Sequence, residues 1–358
     1  MDMRHIFYSG VRSVCIIGLL SVPNWTSDIT PAVLLVTAET TIPSALVPEV
    51  LPRDSVELIF TGDVLLGRFV ETLVERNDPG HLTQYMTSFM NDRNRIVVTN
   101  FESAMAVPHT HSPNGSFAFS TQAENLVTLK ELNIQFASLA NNHALDFGRS
   151  GYENAIVTLG AADIKAFGHP TVLSDASVAY IQSGDYVIAL IGIHTLFGDP
   201  DVTAVKSVLT TAQQKSDVQI AYVHWGVEYK RTHSPQQARF AASLVENGID
   251  AVIGHHPHVT QDIQLINEVP VFYSLGNFIF DQYFSEDVQE GYLVGVVVQS
   301  DKLEFQLYPH NSRQGLSVTS LSDPQERSLF LQDLANKSDE RLAVEIATGT
   351  LKIPWKND

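Results

Sequence analysis

Five short apolar runs in this chain each end in residue types that hold metal ions. Val-Glu-Leu-Ile-Phe ends in Thr61-Gly62-Asp63, and Ile-Val-Val-Thr ends in Asn100-Phe101-Glu102. Phe-Ala-Ser-Leu-Ala ends in Asn141-Asn142-His143, with Asp146 and Gly148 close behind. Val-Gln-Ile-Ala-Tyr-Val ends in His224-Trp225-Gly226-Val227-Glu228, and Asp-Ala-Val-Ile ends in Gly254-His255-His256-Pro257-His258. Carboxylate, amide oxygen and imidazole together suit Mn, Fe or Zn better than Ca or Mg, which prefer oxygen alone. The one cysteine, Cys15, excludes an intramolecular disulfide and a thiolate zinc site. A closed structural zinc site is therefore disfavoured, and coordination positions open to water or substrate are expected.

Taken singly, each of these residues has a plainer reading. An aspartate after a strand often caps a helix or makes a turn. Asn-Asn-His is often a polar loop, Glu102 could be solvated, and His224 could be a satisfied core histidine. The cluster His255, His256 and His258 is harder to dismiss, because three imidazoles within four residues serve little structural purpose. His256 and His258 alternate about Pro257; an extended segment would point both the same way, toward one or two ions. The recurrence of the pattern at five strand ends is what favours a shared site.

The elements that must position these residues are legible in the pattern. Strands are predicted at Val56–Phe60, Ile96–Thr99, Phe136–Leu139, Val187–Ile193, Val218–Val223, Ala251–Ile253, Val271–Tyr273, Tyr292–Val298 and Leu303–Leu307. Several are apolar on both faces, as in sheets covered on each side. The clearest helix lies between Ser234 and Gly248: Ser234 caps it, Pro235 suits its first position, and Gln237 completes a capping box. A second helix is expected from about Gln122 to Leu132, and a third after Gly151. Strands alternating with helices give an α/β layered fold, whose functional groups collect on loops at one end of a sheet.

Hydrophobic residues make up 44% and charged residues 17% of the 358, so a large core is expected and global disorder is not. The net charge of −18 argues against nucleic acid or an anionic membrane as a partner of the bulk surface. At the N-terminus, Arg4 and Arg12 precede an apolar run from Val14 to Val22, which resembles a secretion signal or signal anchor. Residues 1–38 are read as that leader, 39–55 as a linker, 56–309 as the main domain and 310–358 as a C-terminal extension with a peripheral helix. The expected location is outside the cytoplasm, at the cell surface or on the membrane.

The strings Phe-Thr-Gly-Asp (60–63), Asn-Phe-Glu (100–102), Ala-Asn-Asn-His-Ala-Leu-Asp-Phe-Gly (140–148), His-Trp-Gly-Val-Glu-Tyr (224–229), Gly-His-His-Pro-His (254–258) and Tyr-Ser-Leu-Gly-Asn-Phe-Ile-Phe-Asp (273–281) together resemble the bacterial poly-γ-glutamate capsule-synthesis family. That family resembles the calcineurin-like metallophosphatases. The resemblance implies a four-layer α-β-β-α sandwich with one or two divalent ions between the sheet ends. It implies Asp63, Glu102, Asn142, His224, His256 and His258 as ligands and His143 as proton donor. Two departures stand out. Leu65 sits where those phosphatases have a histidine, and Glu102 sits where they have a bridging aspartate. The plainer residues divide less clearly. Asp146 either orients His143 or caps the next helix. Lys230 and Arg231 either attract an anionic substrate or form a solvated charge pair. His255 is a supporting residue. Gly276 and Asn277 read as a tight turn, with Asn277 as a hydrogen-bonding support the alternative.

The resemblance implies a metal-dependent, hydrolase-like role in making, exporting or attaching poly-γ-glutamate. The chemistry would be metal-assisted attack on phosphorus or a carbonyl carbon. The expected substrate is that polymer or a phosphoester, with membrane-bound synthase subunits as further partners. The alternatives are a non-catalytic polyglutamate-binding module of a membrane synthase and an exported phosphodiesterase unrelated to capsule.

Overall fold

A computed structural model describes residues 56–77, 79–113, 115–312 and 320–355. The leader and linker expected over 1–55 lie outside the described residues. In chain order, one sheet draws β1 (Glu57–Val64), β2 (Arg95–Phe101), β3 (Ile134–Ser138) and β4 (Lys165–Phe167). A second takes β5 (Val178–Ser183), β6 (Tyr186–His194), β7 (Val218–His224), β8 (Ala251–His255), β9 (Ile263–Ile266) and β10 (Val269–Phe272). The chain then returns to the first sheet with β11 (Asn277–Ile279), β12 (Glu290–Val298), β13 (Lys302–Asn311), β14 (Ser320–Leu321) and β15 (Thr350–Pro354). The orders are β14-β13-β12-β1-β2-β3-β4, with β11 beside β1 and β15 beside β13, and β5-β6-β7-β8-β10-β9. The helices are α1 (Arg68–Arg76), α2 (Thr87–Met90), α3 (Val127–Glu131), α4 (Gly148–Ala161), α5 (Val202–Gln213), α6 (Pro235–Glu246), α7 (Pro324–Lys337) and α8 (Ala343–Thr348).

Side-chain alternation makes the layers. On β1, Leu58 and Phe60 face the second sheet, while Ile59 faces outward onto a cluster with Val70 of α1, Leu129 of α3 and Leu159 of α4. On β7, Ile220 and Tyr222 face the first sheet, while Ala221 and Val223 pack on Leu209 of α5 and Phe240 and Leu244 of α6. Helices therefore cover both outer faces of two sheets packed face to face, the four layers expected from the resemblance. All nine predicted strands are present. So is the helix after Ser234, whose side chain accepts from Gln237 N while Gln237 returns the bond. Such a cap contributes about 1 kcal/mol.

Three local expectations change. The segment expected to be one helix from Gln122 is a 3-10 turn, Ala123–Leu126, followed by the single short α3. The third helix starts at Gly148, not after Gly151. The segment after Pro309 is more than peripheral. β15 pairs with β13, and Leu331, Leu334 and Ile346 of α7 and α8 sit in the core between the sheets. Its polar outer faces hid that apolar stripe from a pattern search.

Within each sheet the strands that carry the ligand-type residues run parallel: β1, β2 and β3 in one, β6, β7 and β8 in the other. Their C-terminal ends are the place where loops leave the sheet and function collects.

Candidate metal centre

The first sheet supplies oxygen. Asp63 of β1 lies level with Asn100 of β2. Gly62 permits this: a Cβ there would lie 2.1 Å from the carbonyl oxygen of Gly276, so β1 and β11 approach only through glycine. Asn100 Nδ2 donates to Asp63 Oδ1 at 2.8 Å and Glu102 Oε2 at 3.2 Å, holding the two carboxylates side by side. Asn141 donates in turn to Asn100 Oδ1 at 3.0 Å. Its own Oδ1 accepts from the backbone N–H of His143 and Ala144 at 3.1 and 2.9 Å. Asn141 is thus the residue that shapes the turn, leaving Asn142 and His143 forward.

The second sheet supplies nitrogen. His194, His224 and His255 end three adjacent strands in one row. His224 Nε2 lies 2.7 Å from Asn142 Oδ1, and its Nδ1 lies 3.3 Å from Asn100 Nδ2. Donor types from both sheets therefore converge on one point. His255 lies buried beneath it, Nδ1 3.3 Å from Asp63 Oδ1 and its ring 4.2 Å from that of Tyr222.

His256 and His258 meet the centre, but not by strand alternation. Both have positive φ, 94° and 57°, a conformation that bulky residues adopt only when surroundings impose it. The imposing contacts are visible. The His256 backbone N–H donates to Asp63 Oδ2 at 3.2 Å, and His258 Nδ1 lies 2.9 Å from Asn277 Oδ1. Asn277 Nδ2 donates to Gln282 Oε1 and Val288 O, both at 3.1 Å, so its oxygen must face His258. Nδ1 of His258 then carries the hydrogen, and Nε2, 3.8 Å from Glu102 Oε1, is turned to the centre. Asn277 opens β11 and supports His258; the turn belongs to Gly276, whose φ is 78°.

The electrostatics fit a cation. Burial pushes Glu102 well above the usual carboxylate range, with Asp63 and Glu228 adding to the shift against His258 and Arg68. Burial opposes the ionised form of Asp63, but the charges of His255 and His258 outweigh it and hold the carboxyl well below that range. Burial, then neighbouring imidazoles, lower His224 far below its ordinary value and His256 to about 3, so both rings are neutral and each has one lone pair. His258 resists its own burial and is held up at about 9 by Glu102, Asp63 and Glu228. Glu102 Oε1, His256 Nδ1 and both His255 nitrogens are buried without a hydrogen-bond partner among the described residues. Taking a carboxylate out of water costs several kcal/mol. A hydrogen bond to a charged group returns only roughly 1.5–3 kcal/mol. A divalent cation would close that gap.

The remaining expected residues divide. His143 Nδ1 donates to Asp146 Oδ2 at 2.7 Å, which leaves Nε2 3.6 Å from Glu102 Oε1. Asp146 therefore orients His143, and α4 has no side-chain cap. Arg231 is exposed and paired with Asp287 and Asp333, and Lys230 is exposed. Leu65 is buried against Phe119 and Phe280, so the departure from the phosphatase pattern is sealed by packing. Sequence reasoning missed Glu228, although its string was noted. Asp63, Glu102 and His224 offer ligand atoms within 4.8 Å of one another, and so do Glu228, His256 and His258. It also missed a stack: the Arg68 guanidinium lies over Phe119, whose ring stacks 3.7 Å from that of His143, while Arg68 pairs with Asp281. The basic residue directly after the Asp63 loop was the available signal.

The sequence profile described as bacterial capsule synthesis protein PGA_cap matches residues 57–282. The chain is 26% identical over 314 residues to the PGA biosynthesis protein CapA of Bacillus subtilis, covering 82% of this chain and 81% of the relative. It is 27% identical over 286 residues to the capsule biosynthesis protein CapA of Bacillus anthracis, covering 73% and 69%. A probable polyglutamine synthesis accessory protein of Mycobacterium tuberculosis is 23% identical over 292 residues, covering 72% and 76%.

Proposed function

The chain belongs to the bacterial capsule synthesis protein family, and on that premise we propose that it is a metal-dependent, hydrolase-like protein of poly-γ-glutamate capsule biosynthesis, export or attachment. The observation that carries the proposal is the convergence of Asp63, Glu102 and Asn142 from one sheet with His224, His256 and His258 from the other. Relatives named for capsule and PGA biosynthesis support the polymer as the substrate class.

Asp63, Glu102, Asn142, His224, His256 and His258, with Glu228, would hold one or two ions. A bound divalent ion there supplies Lewis-acid polarisation and a water acidic enough to act near neutral pH. His143 faces the centre through Nε2 and gives a proton to the leaving group, with Asp146 fixing its ring and Phe119 its plane. A chain of net charge −18 repels a polymer of carboxylates, so a cation held at the centre would also let that substrate approach. The basic, apolar N-terminal run supports export. Among the described residues no helix is long and apolar enough to cross a membrane.

Leu65 favours a second reading, a polymer-binding module without turnover, because one phosphatase ligand is replaced by a packed side chain. The test is full-length protein supplied with Mn, Fe or Zn and assayed on phosphoesters and γ-glutamyl polymers, with metal content measured on the same sample. Turnover abolished by chelation supports the hydrolase. Binding without turnover selects the module, and protein that takes up no metal removes both metal-based readings.

A further inference from the structure

The ligand-type residues of the second group are not all held alike. Glu228, His256 and His258 offer atoms within 4.8 Å of one another, and of the three only Glu228 is exposed. Asp63 anchors the backbone of His256, and Asn277 meets the ring of His258. An exposed glutamate keeps its rotamer freedom, which opposes being fixed on an ion. A ligand in that position needs a tether.

The neighbouring Tyr229 is tied to the same loop from two sides. Its φ is 62°, left-handed for a bulky residue, as at His256 and His258. Its backbone N–H donates at 2.8 Å to the carbonyl of Pro257, the residue between those two histidines. Its ring lies 6.3 Å from that of His258, and its hydroxyl lies 3.1 Å from Gln282 Nε2.

The hydrogen-bond directions are fixed from one end to the other. The Val288 carbonyl only accepts, so the Asn277 atom 3.1 Å from it is the amide nitrogen. That nitrogen also donates to Gln282 at 3.1 Å, so Gln282 presents its oxygen to Asn277 and its nitrogen to Tyr229. An amide nitrogen only donates. The Tyr229 hydroxyl oxygen therefore accepts from it, and the one hydroxyl hydrogen is left for another acceptor. The Glu228 carboxylate is hydrogen-bonded to that hydroxyl. Every group then donates in one sense: His258 to Asn277, Asn277 to Gln282, Gln282 to Tyr229 and Tyr229 to Glu228. Bonds in such a run polarise one another, and the last one ends on a charge.

We propose that Tyr229 is a positioning residue of the metal centre: its hydroxyl ties Glu228, through Gln282 and Asn277, to His258, so that two ligands of one ion are set by a single run of hydrogen bonds. This rests on the metal reading above.

Two variants separate the hydrogen bonds from packing. Tyr229→Phe keeps the ring and the backbone bond to Pro257 and deletes only the hydroxyl. Gln282→Glu still accepts from Asn277 but presents oxygen to Tyr229, turning the tyrosine hydrogen away from Glu228. Full-length protein is dialysed against manganese, and bound metal is counted as free manganese rises. Glu228→Gln marks which step of the isotherm belongs to the Glu228 ion. Tyr229→Phe and Gln282→Glu should each weaken that step by about tenfold, the scale of a lost supporting bond, and leave the ion at Asp63, Glu102 and His224 unchanged. Spin coupling between the two manganese ions, read by electron paramagnetic resonance, should fade in both variants at the manganese level that saturates wild type. If Tyr229→Phe misfolds, Gln282→Glu carries the same test. Variants that bind both ions like wild type, equal losses at both ions, or a wild type that holds only the first ion would overturn the inference and leave the metal reading standing. A wild type that takes up no metal when manganese, iron or zinc is supplied sinks the metal reading, and the inference with it.

Discussion

The first sheet brings oxygen to the centre and the second brings nitrogen. Asp63, Glu102 and Asn142 leave the ends of β1, β2 and β3, whereas His224, His256 and His258 follow β7 and β8. The oxygen half is prearranged by amides, with Asn100 and Asn141 holding carboxylates and turn together. The nitrogen half is held largely by the other half: His256 through its N–H to Asp63, and His258 through Asn277 of the first sheet. The group Asp63, Glu102 and His224 mixes donors from both sheets, so that part of the centre exists only where the two pack. The oxygen half should therefore tolerate loss of the imidazoles better than the reverse.

The largest expected effect follows from that asymmetry. Asp63→Ala removes a ligand and the anchor of His256 together. Metal affinity should fall by more than about 10²-fold, beyond the range for merely supporting residues, as read by equilibrium dialysis. Retained affinity would break the comparison. His256→Ala and His258→Ala should each strip bound metal and leave the circular dichroism spectrum native. Elemental analysis showing unchanged metal in both would remove them from the ligand set.

His143→Ala should keep metal and fold but lower turnover by about 10²-fold, the scale of a lost general acid. Esters with a nitrophenolate leaving group should suffer less than alkyl esters, and equal losses on both would argue against proton donation. Asn277→Ala should weaken metal binding by about tenfold through His258. Asn277→Asp, which can still accept from Nδ1, should lose less; if the two variants behave alike, the support is steric.

The smallest effect is a proton. In metal-free protein His258 is held up at about 9 by Glu102, Asp63 and Glu228 against its burial. A ligating imidazole must be neutral, so below that pH metal uptake expels a proton. Affinity should rise with pH toward about 9 and level off above it. Calorimetry in buffers of different ionisation heat should show net proton release at neutral pH, and no release would place the proton elsewhere.

Much of this was legible in the chain. Strand ends announced themselves because an apolar run stops abruptly at ligand-type residues, and the Ser234 capping box marked α6 by purely local chemistry. What depends on distant contacts was not legible. Asn277 reaches His258 only because Gly62 lets β11 approach β1. Positive φ at His256 and His258 opposes local preference and follows from Asp63 and Asn277. Phe119 carries no motif, and its stacking on His143 is fixed by the bond from its N–H to Asp146 at 2.7 Å. β15 has too short a pattern to distinguish it from a loose end.

The most direct measurement is a crystal of the full-length chain soaked with manganese and read by anomalous scattering. The account predicts density between Asp63, Glu102 and His224, bonded to oxygen from the first sheet and nitrogen from the second, with any second ion at Glu228, His256 and His258. An anomalous map with no peak there, or one in which the ion at Asp63 and Glu102 takes no nitrogen from the second sheet, would contradict it.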